Sequence, residues 1–302
     1  MEKTLIVITG PTGVGKTELC LTIAEHFGCE IINCDSRQIF REIPIGTAAP
    51  TVEQQQRVRH YFVGTLALET YFSASLYEEQ VCRMIEESDR EVFLLTGGSM
   101  MYIDAVCNGI DELPTVRDDI REELKRQLAA EGLDALLDEL QCLDPDHYAV
   151  VDKKNPRRVL HALEICRQTS KPYSTFLKKE KKTRPFNIVK IGLTRDRITL
   201  YERINKRVED MISQGLIEEA RNVFHLRHLN SLNTVGYKEM FDYFDGETTL
   251  EEAIRRIQSN TRRYMRKQET WFKRDKEIMW FNPTDIKEII KYIDKFLLLQ
   301  RK

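Results

Sequence analysis

Several signals that place a protein quickly are missing from this 302-residue chain. Its 46 lysines and arginines are matched by 48 acidic residues, leaving a net charge of −2, so overall charge announces no nucleic-acid partner. Any such surface must come from local clustering. The seven cysteines (Cys20, Cys29, Cys34, Cys82, Cys107, Cys142 and Cys166) are odd in number and scattered, with no Cys-x-x-Cys pair. That argues against a zinc site or a disulfide framework and fits a reducing compartment. No apolar run approaches the length of a membrane span. After Met1 the chain enters "TLIVITG" without a basic leader or a small-residue cleavage site, so a soluble, cytoplasmic protein without membrane association is expected. Internal repeats and low-complexity tracts are absent, and the length allows one large domain or two modest ones.

The strongest positive signal is "GPTGVGKT", Gly10 to Thr17, which lies between the apolar run "TLIVITG" and the helically spaced "TELCLTIAEHFG". Strand, glycine-rich loop and helix form the context that makes this motif a phosphate cradle. Gly10, Pro11, Thr12, Gly13, Val14, Gly15, Lys16 and Thr17 are the candidate diphosphate-binding residues. Backbone N–H groups surround the anion at the positive end of the helix, Lys16 adds a point charge, and the Thr17 hydroxyl is a candidate Mg²⁺ ligand. The motif does not say whether the ligand is ATP or another diphosphate.

"CEIINCDS" and "REVFLLTGGS" are two further buried strands, each ending in polar or glycine residues where an open α/β sheet places its ligands. The expected fold is α/β, with a P-loop NTPase-like parallel sheet flanked by helices. After "DELPTV" apolar residues recur at helical intervals, and residues 118–187 are expected to form an all-helical insertion between core segments 1–117 and 188–302. In the final third, Leu200, Ile204, Val208 and Met211 share one stripe of a helix, while Arg203 and Arg207 share another face one turn apart.

An ATP-hydrolysing motor would also need an apolar strand ending in a metal-binding Asp. "VFLLTGGS" instead ends in Thr96, Gly97, Gly98 and Ser99. The strand-terminal acid nearby is Asp35, which can accept a proton from a nucleophile, although the same residue type also caps helices. Loop and carboxylate together describe a group transfer, either of a phosphoryl group by a kinase or of a carbon chain that leaves diphosphate behind. The missing basic cluster lies between Arg255 and Arg274, where eight cations face only Glu269. "NTRRYMRKQETWFKRD" interleaves Tyr264, Trp271 and Phe272 with those charges, suiting phosphate contact and base stacking. Tyr264 and Trp271, seven apart, equally fit a buried helix stripe, and core packing is the expectation for Trp271.

These residues closely resemble the tRNA dimethylallyltransferase family along nearly the whole chain. The matching blocks are "GPTGVGKT" (10–17), "DSRQIF" (35–40), "IGTAAP" (45–50), "GGSMMY" (97–102), "NPRRVLHALE" (155–164), "NTVGYKE" (233–239) and "RKQETWFKR" (266–274). The resemblance implies Mg²⁺-dependent transfer of a dimethylallyl group from dimethylallyl diphosphate to the N6 amine of the adenosine beside the anticodon, position 37 of tRNA. It implies that the loop holds the prenyl donor's diphosphate, that Asp35 is the general base, and that Lys16, Thr17, Ser99, Arg203 and Arg207 assist. It further implies that at least one of the two arginines faces the diphosphate. Matching tRNA-contacting positions are Asp35, Ser36, Arg37, Gln38, Ser99, Arg121, Arg157, Arg158, Val159, Leu160, His161, Gly236, Tyr237, Lys238, Arg262, Arg266, Lys267, Gln268 and Lys273. The tRNA partner is gripped at its anticodon arm by the insertion and the basic helix, and a monomer is expected. Ser99 stands where the family usually has Thr; His161, Phe40 and Ala49 replace its common Arg, Tyr and Lys. No Cys/His pair extends the C-terminal part, so the zinc-bearing tail of eukaryotic relatives is not expected. The rival readings are a nucleoside or small-metabolite kinase, which leaves the arginine-rich segment unexplained, an enzyme prenylating free adenine nucleotides, and a non-catalytic RNA-binding regulator.

Overall fold

The apolar run near the N-terminus forms a strand, β1 (Thr4–Thr9), with every residue buried. β2 (Ile31–Asn33), β3 (His60–Tyr61), β4 (Val92–Thr96), β5 (Asn187–Leu193) and β6 (Met279–Phe281) join it in one sheet of order β3-β2-β4-β1-β5-β6, every pair parallel. Such a sheet is covered on both faces, which is why its central strands are continuously apolar rather than alternating. Ile6 and Ile8 enter one core with the helix Lys16–Phe27 and the helix Ile286–Gln300; Leu5 and Val7 enter the other with helices Ala74–Glu87 and Met100–Asn108. The computed structural model describes residues 3–111, 113–178 and 180–300.

A third apolar cluster joins the helices Arg197–Ser213, Leu216–Asn222, Tyr237–Phe244 and Leu250–Phe272. The expected stripe is realised: Leu200, Ile204 and Val208 are buried and Met211 packs against the cluster.

The chain divides into two compact units, Met1–Asn108 with Thr183–Lys302, and Gly109–Lys182. The second is helical, built from Asp118–Leu143, Pro145–Val150 and Pro156–Thr169, and carries its own core of Leu124, Leu136, Leu140, Val159, Ala162 and Leu163. Asn155 caps the last of these helices by accepting from Arg158 N, and Pro156 follows at the first helical position, where a missing N–H costs nothing. The unit's limits differ from the 118–187 expected from periodicity. Residues 109–111 and 113–117 are irregular and carry no period, yet Arg117 N donates to Gln168 Oε1 (3.1 Å) within the unit. At the other end Asn187 already pairs with Thr4 in the sheet. Among the described residues no helix is long and apolar enough to cross a membrane.

Leu163 is fully buried in the helical unit. Leu163→Ala is expected to remove about 2–5 kcal/mol of that unit's stability. Hydrogen exchange should accelerate across Gly109–Lys182 while β1 and β5 keep their protection; uniform acceleration over the whole chain would show that the two cores unfold as one.

Candidate functional site

The register brings four strand ends to one edge. Ile8 and Asn33 both pair with Thr96, and Thr9 pairs with Gly192. The residues that leave the sheet next are therefore neighbours: the phosphate loop after β1, Asp35 after β2, Gly97–Ser99 after β4 and Arg195 after β5. Gly97 sets the closest of these approaches. A β-carbon there would stand 2.0 Å from the Cys34 carbonyl oxygen, so only glycine lets the β4 end lie against the β2 end. Cys34 N in turn donates to Thr96 O (2.6 Å), and Ser99 N donates to Cys34 O (3.2 Å).

The loop begins the helix Lys16–Phe27 through Gly15, whose φ of 107° favours glycine. Its carbonyls are held by cationic side chains. Lys16 Nζ donates to Gly10 O (2.8 Å) and Pro11 O (3.1 Å), Arg203 Nε to Gly13 O (2.7 Å) and Arg195 Nε to Val14 O (2.8 Å). Arg207 reaches Thr12 Oγ1 and Thr47 O, each at 3.4 Å. Both members of the predicted arginine pair thus touch the loop. Arg195 was not anticipated, although its place directly after a parallel strand is the signal that would have found it. Burial, with the Arg207 charge second, pulls the Lys16 ammonium down to about 8, opposed by Cys20 and Asp35.

Asp35 performs the capping role that its sequence position allows and turns its second oxygen toward the β4 loop. Its Oδ1 accepts from Arg37 N (2.9 Å) and Gln38 N (3.3 Å), capping the turn that follows. Its Oδ2 lies 4.0 Å from where a β-carbon on Gly98 would sit, on the side of the β4 loop. Ser99, 8% exposed, accepts from Ser36 N (2.8 Å) and donates to Ser36 Oγ (3.1 Å), bracing the segment that carries Asp35. Gln38 Nε2 donates to Thr47 O (2.9 Å) and Ala48 O (3.0 Å).

The basic helix Leu250–Phe272 is less uniformly cationic than its composition suggests. Arg255 and Arg256 pair with Glu252, just upstream of the window in which only Glu269 opposed them. Arg262 donates to Asn205 Oδ1 and Arg266 to Tyr201 OH (3.0 Å), both on Arg197–Ser213. Arg263, Arg266, Lys267 and Lys273 are exposed. Trp271, partly buried as its spacing allowed, donates to Asp104 Oδ2 (2.8 Å), whereas Tyr264 is 37% exposed and donates to Gly98 O (3.2 Å).

Other expected RNA-contacting positions divide by exposure. Arg157, Arg158, His161 and Lys238 are exposed, and Leu160 is half-buried. Arg121 lies 3.5 Å from Asp118 and 4.0 Å from Glu164. His161 Nδ1 is 3.7 Å from Glu164 and its ring meets Tyr173 edge-on. Val159 and Tyr237 correct the expectation: both are fully buried, Val159 in the helical core and Tyr237 with its hydroxyl on Glu219 Oε1 (2.6 Å). A block match assigns neighbouring residues alike, while helical geometry turns one side inward every three to four residues. Gly236 is buried too, its N–H donating to Glu239 Oε2 (2.8 Å).

Among the described residues no group of three or more His, Cys, Asp or Glu is placed to hold a metal. Thr17 is exposed near the start of its helix. One hydroxyl beside a phosphate cradle suits Mg²⁺ held largely through substrate phosphates and water rather than in a protein cage.

Sheet, loop and strand-end carboxylate define a phosphate-loop α/β protein whose metal-binding strand acid is replaced by glycines and a serine. A model of the family described as IPP transferase matches residues 38–275. The chain is 59% identical over 295 residues to tRNA dimethylallyltransferase 1 of Phocaeicola vulgatus, covering 97% of this chain and 98% of that one. It is similar to the crystal structure of the tRNA isopentenylpyrophosphate transferase of Bacillus halodurans, with a TM-score of 0.73, 35% identity and full coverage of both chains. The chain belongs to the IPP transferase family.

Gly97→Ala is expected to cost about 3 kcal/mol, the upper end of overpacking penalties. The urea midpoint should fall accordingly, and an unchanged midpoint would show that the β2 and β4 ends can separate freely.

Proposed function

We propose that this protein transfers a dimethylallyl group from dimethylallyl diphosphate to the N6 amine of the adenosine at position 37 of tRNA, releasing diphosphate. The observation that carries the reading is the pairing of a cation-braced phosphate loop with Asp35 at the end of β2, where an ATP-hydrolysing motor would need a metal-binding acid after β4, and a kinase would leave the basic helix unexplained. The family relationship and the exposed cations of the basic helix support the nucleic-acid acceptor.

The N6 lone pair attacks the allylic C1, the C1–O bond breaks, and its electron pair leaves with the diphosphate oxygen. Asp35 takes the N6 proton. An adenine amine is a weak nucleophile because its lone pair is delocalised into the ring, so this proton transfer contributes about 10²–10⁴-fold. Charge developing on the leaving group is the larger burden, met by loop amides, Lys16 and an arginine of the Arg203 and Arg207 pair, with Ser99 holding the Asp35 segment. Mg²⁺, bound through the Thr17 hydroxyl, would supply further charge to the diphosphate. The adenine leaves its stack at a cost of a few kcal/mol. Arg121, Arg157, Arg158 and His161 of the helical unit and Lys238, Arg262, Arg266, Lys267 and Lys273 of the core supply the contacts to the anticodon arm. With this reading go a cytoplasmic location and action as a monomer, supported by one chain carrying every element of the loop site.

Incubation with labelled dimethylallyl diphosphate and unmodified tRNA, with AMP as competing acceptor, tests the reading. Label is expected in tRNA and not in AMP; ATP hydrolysis without label transfer would refute it. Asp35→Ala should abolish transfer with tRNA affinity within about twofold, because the carboxylate acts on the reacting amine rather than on the phosphate backbone. A parallel loss of tRNA binding would make Asp35 a structural cap alone.

The low Lys16 value gives a signed pH dependence. An anion bound in the loop favours the ammonium form, so the pKa rises on binding and a proton is taken up. Inorganic diphosphate affinity should therefore be greatest below pH 8 and fall above it, and Lys16→Met should remove that step in calorimetry. In folding the sign is separate: the unfolded lysine holds its proton up to about 10.5, so between 8 and 10.5 it binds more protons than the folded one. This group's contribution to stability rises with pH across that window.

A further inference from the structure

Gln268 stands in a block expected to contact RNA, yet its side chain is 1% exposed. It lies on the inner side of the basic helix, which presents Arg266, Lys267 and Lys273 to solvent. Both ends of its amide are engaged within the protein. Oε1 accepts from the phosphate-loop amide Thr12 N (2.8 Å), and Nε2 donates to the β4-loop carbonyl Gly98 O (2.9 Å). One turn earlier on the same helix, Tyr264 OH donates to that carbonyl as well (3.2 Å). A β-carbon on Gly98 would lie 2.5 Å from Gln268 Nε2, so the glycine is what admits the amide.

We propose that Gln268 is a positioning residue that sets the spacing between the diphosphate-holding loop and the wall carrying Asp35, and that it does not contact RNA. The chemistry requires an amide. Thr12 offers a donor and Gly98 an acceptor, and a carboxamide is the side chain that answers both from one rigid plane; an ionised glutamate would set two acceptors face to face. The effect reaches the reacting groups in one further step on each side. Thr12 begins the turn of the phosphate loop and its hydroxyl meets Arg207, while Gly98 precedes Ser99, which braces Ser36 beside Asp35. A helix with cations on its outer face thereby holds the two loops on its inner face.

The proposal rests on the reading of the loop as a diphosphate site, and its test is chosen so that the two fail differently. Gln268→Met, close in size but lacking both bonds, is compared with the parent protein for affinity to inorganic diphosphate, affinity to unmodified tRNA, and steady-state prenyl transfer. Diphosphate Kd and the KM for the prenyl donor should rise about tenfold, the cost of two orphaned hydrogen-bonding groups, with tRNA Kd unchanged. Tyr264→Phe, at a partly exposed position where folding is safe, removes only the second bond to Gly98. It should lower kcat severalfold with diphosphate Kd unchanged, since it leaves the Thr12 contact intact. A rise in tRNA Kd with normal diphosphate binding in Gln268→Met would overturn the proposal and return the residue to the RNA interface, as would a kcat for Tyr264→Phe equal to the parent's. If the parent bound diphosphate but prenylated nothing, the activity reading would fall while the diphosphate comparison still decided the role of Gln268.

Discussion

The close approach of the β4 and β2 ends, with the Gly97 backbone against the Cys34 carbonyl, is the contact on which the site geometry depends. Parallel pairing brings Asn33 and Ile8 level with Thr96. The missing side chain at Gly97 then lets the two chains leave the sheet in contact rather than splayed apart. Asp35, Ser36, Ser99 and the phosphate loop are near one another because of that register, and no long-range charge attraction is needed to gather them. Packing on both sheet faces holds the register, since a slip would carry Leu5 and Val7 out of their core and Ile6 and Ile8 out of theirs.

Around that edge positive charge is concentrated at a cost. Lys16 and Arg207 are both depressed by burial, and Arg207 adds repulsion to Lys16. The loop carbonyls compensate in part by accepting from Lys16, Arg195 and Arg203. An arrangement of this kind is suited to an anion that neutralises it, and the lysine held near 8 is the group whose protonation such an anion would favour.

Much of this could be read along the chain. The phosphate loop, the strand and helix on either side of it, the Leu200–Ile204–Val208 stripe and the arginine pair are local patterns whose spacing matches the period of one element. The ends of the helical unit could not be read this way, because residues 109–117 have no period and their contact with Gln168 is 51 residues away. Arg195 was legible only in part: its place after a strand marks it as a site candidate, but only the β1–β5 pairing brings it to Val14.

Local chemistry was thus determined by the sequence itself: where a phosphate can be cradled, which carboxylate ends a strand, and which helix is rich in cations. Tertiary structure alone decided which side of each helix those residues occupy and whom they meet. Val159 and Tyr237 turned inward, and Gln268 became a link between two loops instead of a surface contact. The physical reason is that a motif specifies residue types along one backbone. Burial and hydrogen-bond partnership are properties of segments up to 256 residues apart, and they exist only once those segments are packed together.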